Sequence, residues 1–262
     1  MRLATLEERP ELKERAWPLF EANWPPFILG DPVAARCWDP VVAQFASYHV
    51  ALIDEATDEL VGLGFSVPVA WDRTVAGLPA GWQAVVEQAL NDHAHGRPPT
   101  ATSALSITVV TDRQGQGLSR MVLDALRAAA AAHGLSAMIA PVRPNRKHFY
   151  PLIPMDRYAR WADANGAPFD PWLRVHWRLG ARMYAVCPES MVIKASVADW
   201  ERWTGLAMPE SGDYVVSGAL VPVTIDRNGG VGRYAEPNVW VYHDLAGPRR
   251  PAAPLAKWGD VG

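Results

Sequence analysis

The stretch Val109-Val110-Thr111-Asp112-Arg113-Gln114-Gly115-Gln116-Gly117-Leu118-Ser119 constrains this chain more than any other. Ahead of it, Leu105, Ile107 and Val109 alternate with Ser106 and Thr108, the period of a strand with one buried face. Behind it, Leu118, Met121, Val122, Leu126 and Ala129 recur at helical spacing, and Gly134 supplies a left-handed residue to close the helix. A strand therefore runs into a glycine turn that opens a helix. Gly115 and Gly117 carry no Cβ, so the backbone can bend there and admit a ligand closely. The first amides of the helix have no acceptor inside it and favour an anion. A diphosphate suits such a place, although an ordinary tight turn has the same glycines. No Lys-Ser or Lys-Thr pair follows, so this is not a Walker loop. The three-glycine dinucleotide pattern is also missing.

The apolar run Ala137 to Val142 follows the helix and completes a parallel strand–helix–strand unit. Upstream, Pro10 to Asn23 reads as a helix kinked at Pro18. Residues 47–54 and 60–69 read as a hairpin, and Trp82 to His93 as a helix inside an insertion over 71–99. A second insertion spans 143–170, basic at Arg143, Arg146 and Lys147 and aromatic later. Asp170-Pro171 then caps a helix with Trp172, Val175, His176 and Leu179 on one face, ended by Gly180. A strand follows over 181–192, interrupted at Pro188. Beyond it come a helix from Val197 to Gly205, a hairpin over 214–225 and 233–242, and a proline-rich irregular tail after Gly247. The pattern is α/β.

Against this background, Gln114-Gly115-Gln116-Gly117-Leu118-Ser119 resembles the signature of the GNAT superfamily of acyl-CoA-dependent N-acyltransferases: Gln or Arg, two variable residues, Gly, one variable residue, then Gly or Ala. Ser119 departs from it. Val175-His176-Trp177-Arg178-Leu179-Gly180-Ala181 is similar to the late helix of that family, which reads Leu-Tyr-Glu-Lys-Leu-Gly-Phe. His176 stands where the family's Tyr often protonates the departing thiolate, and Ala181 replaces Phe. The resemblance covers about residues 10–195. It implies a GNAT-like mixed central sheet flanked by helices. The acyltransferase domain is expected over 1–195, and residues 196–262 as a β-hairpin extension packed on it.

The resemblance further implies acetyl-CoA as donor and direct attack by an amine. Its diphosphate is expected on the amides from Gly115 through Gln116, Gly117 and Leu118 to Ser119, beside Gln114. The pantetheine is expected along Ile107 to Val109. His176 is the implied proton carrier, with Tyr150 and Tyr184 as alternatives, and the basic run from Arg143 is placed to meet the 3′-phosphate. The acceptor is expected to be a small-molecule amine. Other readings stay open: a longer acyl-CoA, carrier-protein thioester or aminoacyl-tRNA donor, a GNAT-like thioester decarboxylase, or a CoA-binding protein without catalysis.

Composition narrows the setting. A net charge of -3 gives no nucleic-acid footprint, so no DNA partner is expected. No apolar run approaches the roughly 20 residues of a membrane span, and the start of the sequence has no signal-peptide pattern. A cytoplasmic location with no membrane partner is expected. Cys37 and Cys187 are too few for a disulfide framework and read as buried thiols. His93 and His95 beside Asp92 have no further ligand cluster, so no metal is expected. Twelve Trp residues imply large buried aromatic area, in core or in a pocket. Oligomeric state is left open, a homodimer included.

Overall fold

The computed structural model describes residues 1–247, so the tail after Gly247 lies outside the described residues. Nine strands form one mixed sheet: β1 (Arg2–Thr5), β2 (Val50–Ile53), β3 (Leu60–Val69), β4 (Ala101–Val109), β5 (Ala137–Val142), β6 (Arg182–Ser196), β7 (Gly212–Tyr214), β8 (Val223–Asp226) and β9 (Val231–Asp244). Their order is β1-β2-β3-β4-β5-β9-β8-β7, and β6 lies along the other edge of β9. The β4–β5 pair is parallel, as the strand–turn–helix–strand pattern requires, and the other pairs are antiparallel.

Before β4 come the helices α1 (Ala16–Glu21), α2 (Pro26–Leu29), α3 (Pro32–Gln44) and α4 (Trp82–Ala94). Helix α5 (Leu118–Ala132) joins β4 to β5, α6 (Met155–Tyr158) and α7 (Pro171–Arg178) precede β6, and α8 (Val197–Thr204) follows it. The sheet separates two cores. On the front, Phe65, Ile139, Trp240 and Tyr242 pack with Val41 of α3 and Val85 and Val86 of α4. On the back, Met138, Ala140, Val142, Val239 and Val241 pack with Leu123 and Leu126 of α5 and Leu173 of α7. β5 is buried on both faces, which is why it reads as a continuous apolar run.

Gly64 shows how tightly the back layer sits. A Cβ built there would lie 2.5 Å from Val122 Cγ1 and 3.0 Å from Leu126 Cδ1, so the glycine lets α5 settle onto β3. The opposite edge of β9 shows the reverse. Its residues 239–244 pair with β5 and 231–233 pair with β8, leaving 234–238 without a strand neighbour on that side. Pro237, which has no amide to donate, lies in this gap.

Several elements differ from the sequence expectations. Residues 10–15 form a 3-10 helix before α1, and the change falls ahead of Pro18, whose ring removes the amide an α-turn would use. Helices α2 and α3 are additional; their prolines read as breakers, yet Pro26 and Pro32 sit at opening positions and Asp31 caps Ala34 N at 2.7 Å. The strand expected over 214–225 is instead two short strands, β7 and β8, separated by residues 215–222.

Candidate active site

The site begins where β4 and β5 part. They pair at Thr102–Met138 and Ser103–Ile139, and pairing stops there although both strands continue. At the same level β4 bulges: Phe65 faces Ser106 and Ser66 faces Ala104, leaving Leu105 unopposed. A bulge re-aims the strand, and the Leu105 carbonyl here accepts from Trp82 Nε1 at 3.0 Å. The parted strands open a cavity of about 860 Å³, lined by Ala104 to Val109 on one side and Ala140 to Arg143 on the other.

At the mouth lies the glycine turn. Gly115 and Gly117 have φ of 77° and 79°, and a Cβ added at either would meet nothing within 4 Å. Their left-handed backbone, not crowding by the protein, is what calls for glycine, and the space beside them is open. No amide from Gly115 to Ser119 donates to a protein acceptor among the described residues. The turn's exposed donors at the start of the 15-residue α5 therefore fit a diphosphate. Gln114 braces the turn, donating from Nε2 to Asn23 Oδ1 at 2.7 Å. Gln114, Gly115, Leu118 and Ser119 line the cavity together with Ile107 and Val109; Gln116 and Gly117 complete the turn outside its lining.

His176 lines the same cavity from α7. It is buried, with Trp172 packed edge-on at 4.7 Å, and its Nδ1 lies 2.9 Å from His243 Nε2 on β9. Burial, together with the nearby positive charge of Arg127, lowers its pKa to about 3, so the resting ring is neutral. Tyr150 lies apart from the cavity lining, its ring between Trp161 at 4.9 Å and Tyr158 and Phe169 at 5.9 Å. Tyr184 stacks on Tyr242 at 5.2 Å, also outside the lining.

Two cations of the basic run depart from expectation, while Arg146 stays exposed. Lys147 is fully buried and donates to the carbonyls of Tyr150 at 2.8 Å and Leu220 at 2.5 Å, and burial lowers its pKa to about 8. Arg143 turns to the front of the sheet, where its Nε donates to Glu236 at 2.9 Å. Neither is a free surface cation waiting for a phosphate.

The front half of the cavity holds mostly residues that sequence reading assigned to no acceptor site. Phe20, Trp24, Trp38 and Trp82 form an aromatic wall, and Asp39, Arg143, Glu236 and Asn238 supply charge and polarity. Trp24 is held across the opening by a hydrogen bond from its Nε1 to Thr108 Oγ1 at 3.0 Å. Only Glu236 and Asn238 carried a usable signal: they interrupt the inward-facing positions of an otherwise apolar strand.

A parted parallel strand pair, with a glycine turn at its mouth and an aromatic pocket beyond, has room for an extended diphosphate-bearing donor on one side and an acceptor on the other. No family model matches the chain. It is 33% identical over 276 residues to the arginine N-acetyltransferase avaD of Aspergillus versicolor, an alignment covering 93% of each. The chain therefore belongs to the GNAT superfamily of acyl-CoA-dependent N-acyltransferases. Its fold is similar to the loading GNATL domain of CurA from Lyngbya majuscula, with TM-score 0.57, 16% identity and coverage of 93% of this chain and 97% of that one. It is likewise similar to the GphF GNAT-like decarboxylase in complex with isobutyryl-CoA, with TM-score 0.56, 17% identity and coverage of 94% and 100%. The protein is an enzyme that moves an acyl group from a CoA thioester to an amine. No helix among the described residues is long and apolar enough to cross a membrane.

Proposed function

We propose that this enzyme acetylates a small cationic amine of the arginine class. One observation carries the reading: the front of the cavity combines an aromatic wall with the exposed carboxylate of Asp39. Aromatic faces beside a carboxylate suit a cationic guest. The name of the 33% identical relative, an arginine N-acetyltransferase, points the same way.

In this reading the amides of Gly115 to Ser119 hold the diphosphate. The edge of β4 beyond Ser103, free of β5, receives the pantetheine as an added strand along Ile107 to Val109. Bound acetyl-CoA supplies an activated acyl carbon. The aromatic wall orients the amine, and this positioning provides much of the rate. Of the three proton carriers suggested by sequence, His176 is the one we retain, because it lines the cavity whereas Tyr150 and Tyr184 do not. The enzyme acts in the cytoplasm, a reading supported by Cys37 and Cys187, both buried and unpaired.

The test is thiol release from acetyl-CoA with a panel of arginine, lysine, tryptamine and an aminoglycoside, with products identified by mass spectrometry. Acetylated arginine is the expected product. Preference for tryptamine, with arginine inert, overturns the cationic reading.

A further inference from the structure

Arg143 is held from behind. Its Nε donates to Glu236 Oε2 at 2.9 Å and its Nη2 to the Gly218 carbonyl at 2.5 Å. Glu236 is itself fixed by the Tyr234 hydroxyl at 2.8 Å and by Asn238 Nδ2 at 3.3 Å. The Tyr234 hydroxyl also lies beside the guanidinium, and no hydrogen bond of good geometry from the third nitrogen, Nη1, is made among the described residues. Arg143 lines the cavity, and its side chain is 18% exposed. The gap at residues 234–238 of β9 makes room for this arrangement.

A guanidinium stays charged at any physiological pH and offers a planar fork of donors. Fixing two of its nitrogens leaves the third pre-organised for an anion. The donor's diphosphate is not that anion. The glycine turn opens the back-layer helix α5, whereas Arg143 follows Val142, which packs into the back core, and pairs with Glu236 on the front. Tyr234, two residues before Glu236, packs in the front core against Phe27 at 5.2 Å. The front is the side of the aromatic wall, so the anion belongs to the acceptor.

We propose that Arg143 receives the carboxylate of the acceptor, making the enzyme selective for free amino acids over the amines left by their decarboxylation. Asn145, which lines the same cavity, is placed to add a hydrogen bond to that carboxylate. This inference rests on the amine-acetyltransferase reading above, yet it can fail separately.

The experiment compares kcat/KM of the full-length enzyme for two matched pairs, arginine with agmatine and lysine with cadaverine. We expect the carboxylated member of a pair to be favoured by at least about tenfold, chiefly in KM. Arg143→Lys keeps a positive charge beside Glu236 but loses the fork, and should bring that ratio toward one. A merely structural Arg143 would lower both members of a pair equally, with a lower melting temperature. Preference for lysine over cadaverine with arginine inert would remove the arginine reading and uphold the carboxylate site. Equal use of both members of each pair by the wild type overturns the site, as does no turnover of any of the four.

Discussion

His176 Nδ1 lies 2.9 Å from His243 Nε2, and the remaining nitrogen of each buried ring has no hydrogen-bond partner among the described residues. One hydrogen bond thus fixes the tautomer of His176. If His243 donates, His176 carries its proton on Nε2 and is a donor; if His176 donates, its Nε2 is a lone pair.

His176→Phe keeps the ring and removes proton transfer. Turnover with the true acceptor should fall by about 10²-fold, the scale of general acid–base help, while acetyl-CoA affinity changes little. His243→Phe should lower turnover less and alter its pH profile, because it only frees the tautomer. Wild-type turnover in His176→Phe would make that residue a packing group.

The buried histidines give stability a pH dependence. Burial lowers the pKa of His49 to about 4 and that of His176 to about 3, and holds His243 well below its ordinary value. Between those values and about 6.5 the unfolded chain binds protons that the folded chain does not, so stability is full above pH 6.5 and is lost as pH falls. Each group tilts the balance by about 1.4 kcal/mol per pH unit within its window. Urea unfolding at pH 7.5, 6 and 5 should show the decline, and it should be shallower in His176→Phe. A flat profile over this range would refute the account.

Gly117→Asp puts a charge and a side chain where the turn's amides await an anion. Calorimetry should show at least about tenfold weaker acetyl-CoA binding, about 1.4 kcal/mol. Gly117→Asn tolerates the left-handed backbone without the charge and should retain more of the affinity. Equal loss in both would point to backbone strain rather than electrostatics.

Gly64→Ala forces a methyl to within 2.5 Å of Val122 Cγ1. Overpacking of this kind costs about 1–3 kcal/mol, readable as a lower urea midpoint. Because α5 also carries the glycine turn, acetyl-CoA binding should weaken with it. An unchanged midpoint would mean that α5 moves freely over β3.

Truncation after Ser196 should leave no cooperative melting transition. It deletes β9, and with it Trp240 of the front core and Val239 and Val241 of the back core. A soluble, cofactor-binding fragment would show instead that residues 197–262 are an accessory to the fold.

Local signals were the legible ones. The strand–turn–helix around Gly115 and Gly117, the apolar β5 and the capped α7 each announce themselves within about a dozen residues, through periodicity and capping that depend only on neighbours. Asp31-Pro32 offers the same cap as Asp170-Pro171, but Pro40 within α3 and the neighbouring prolines masked the helix. The acceptor pocket was not legible, because Trp24, Trp38, Trp82, Arg143 and Glu236 meet only through sheet order and the gap beside β9. No local pattern tells that Arg143 faces Glu236, 93 residues away.

The placement of β9 also has a consequence for biosynthesis. Ala137 on β5 pairs with Asp244 on β9, so a strand made late on the ribosome becomes a central one. Until it emerges, β5 and β6 present open edges, which pair readily with other chains. Assembly of the sheet must wait on contacts of long sequence separation, which slow folding. Nascent chains of this enzyme should therefore depend on chaperones until the ninth strand is released.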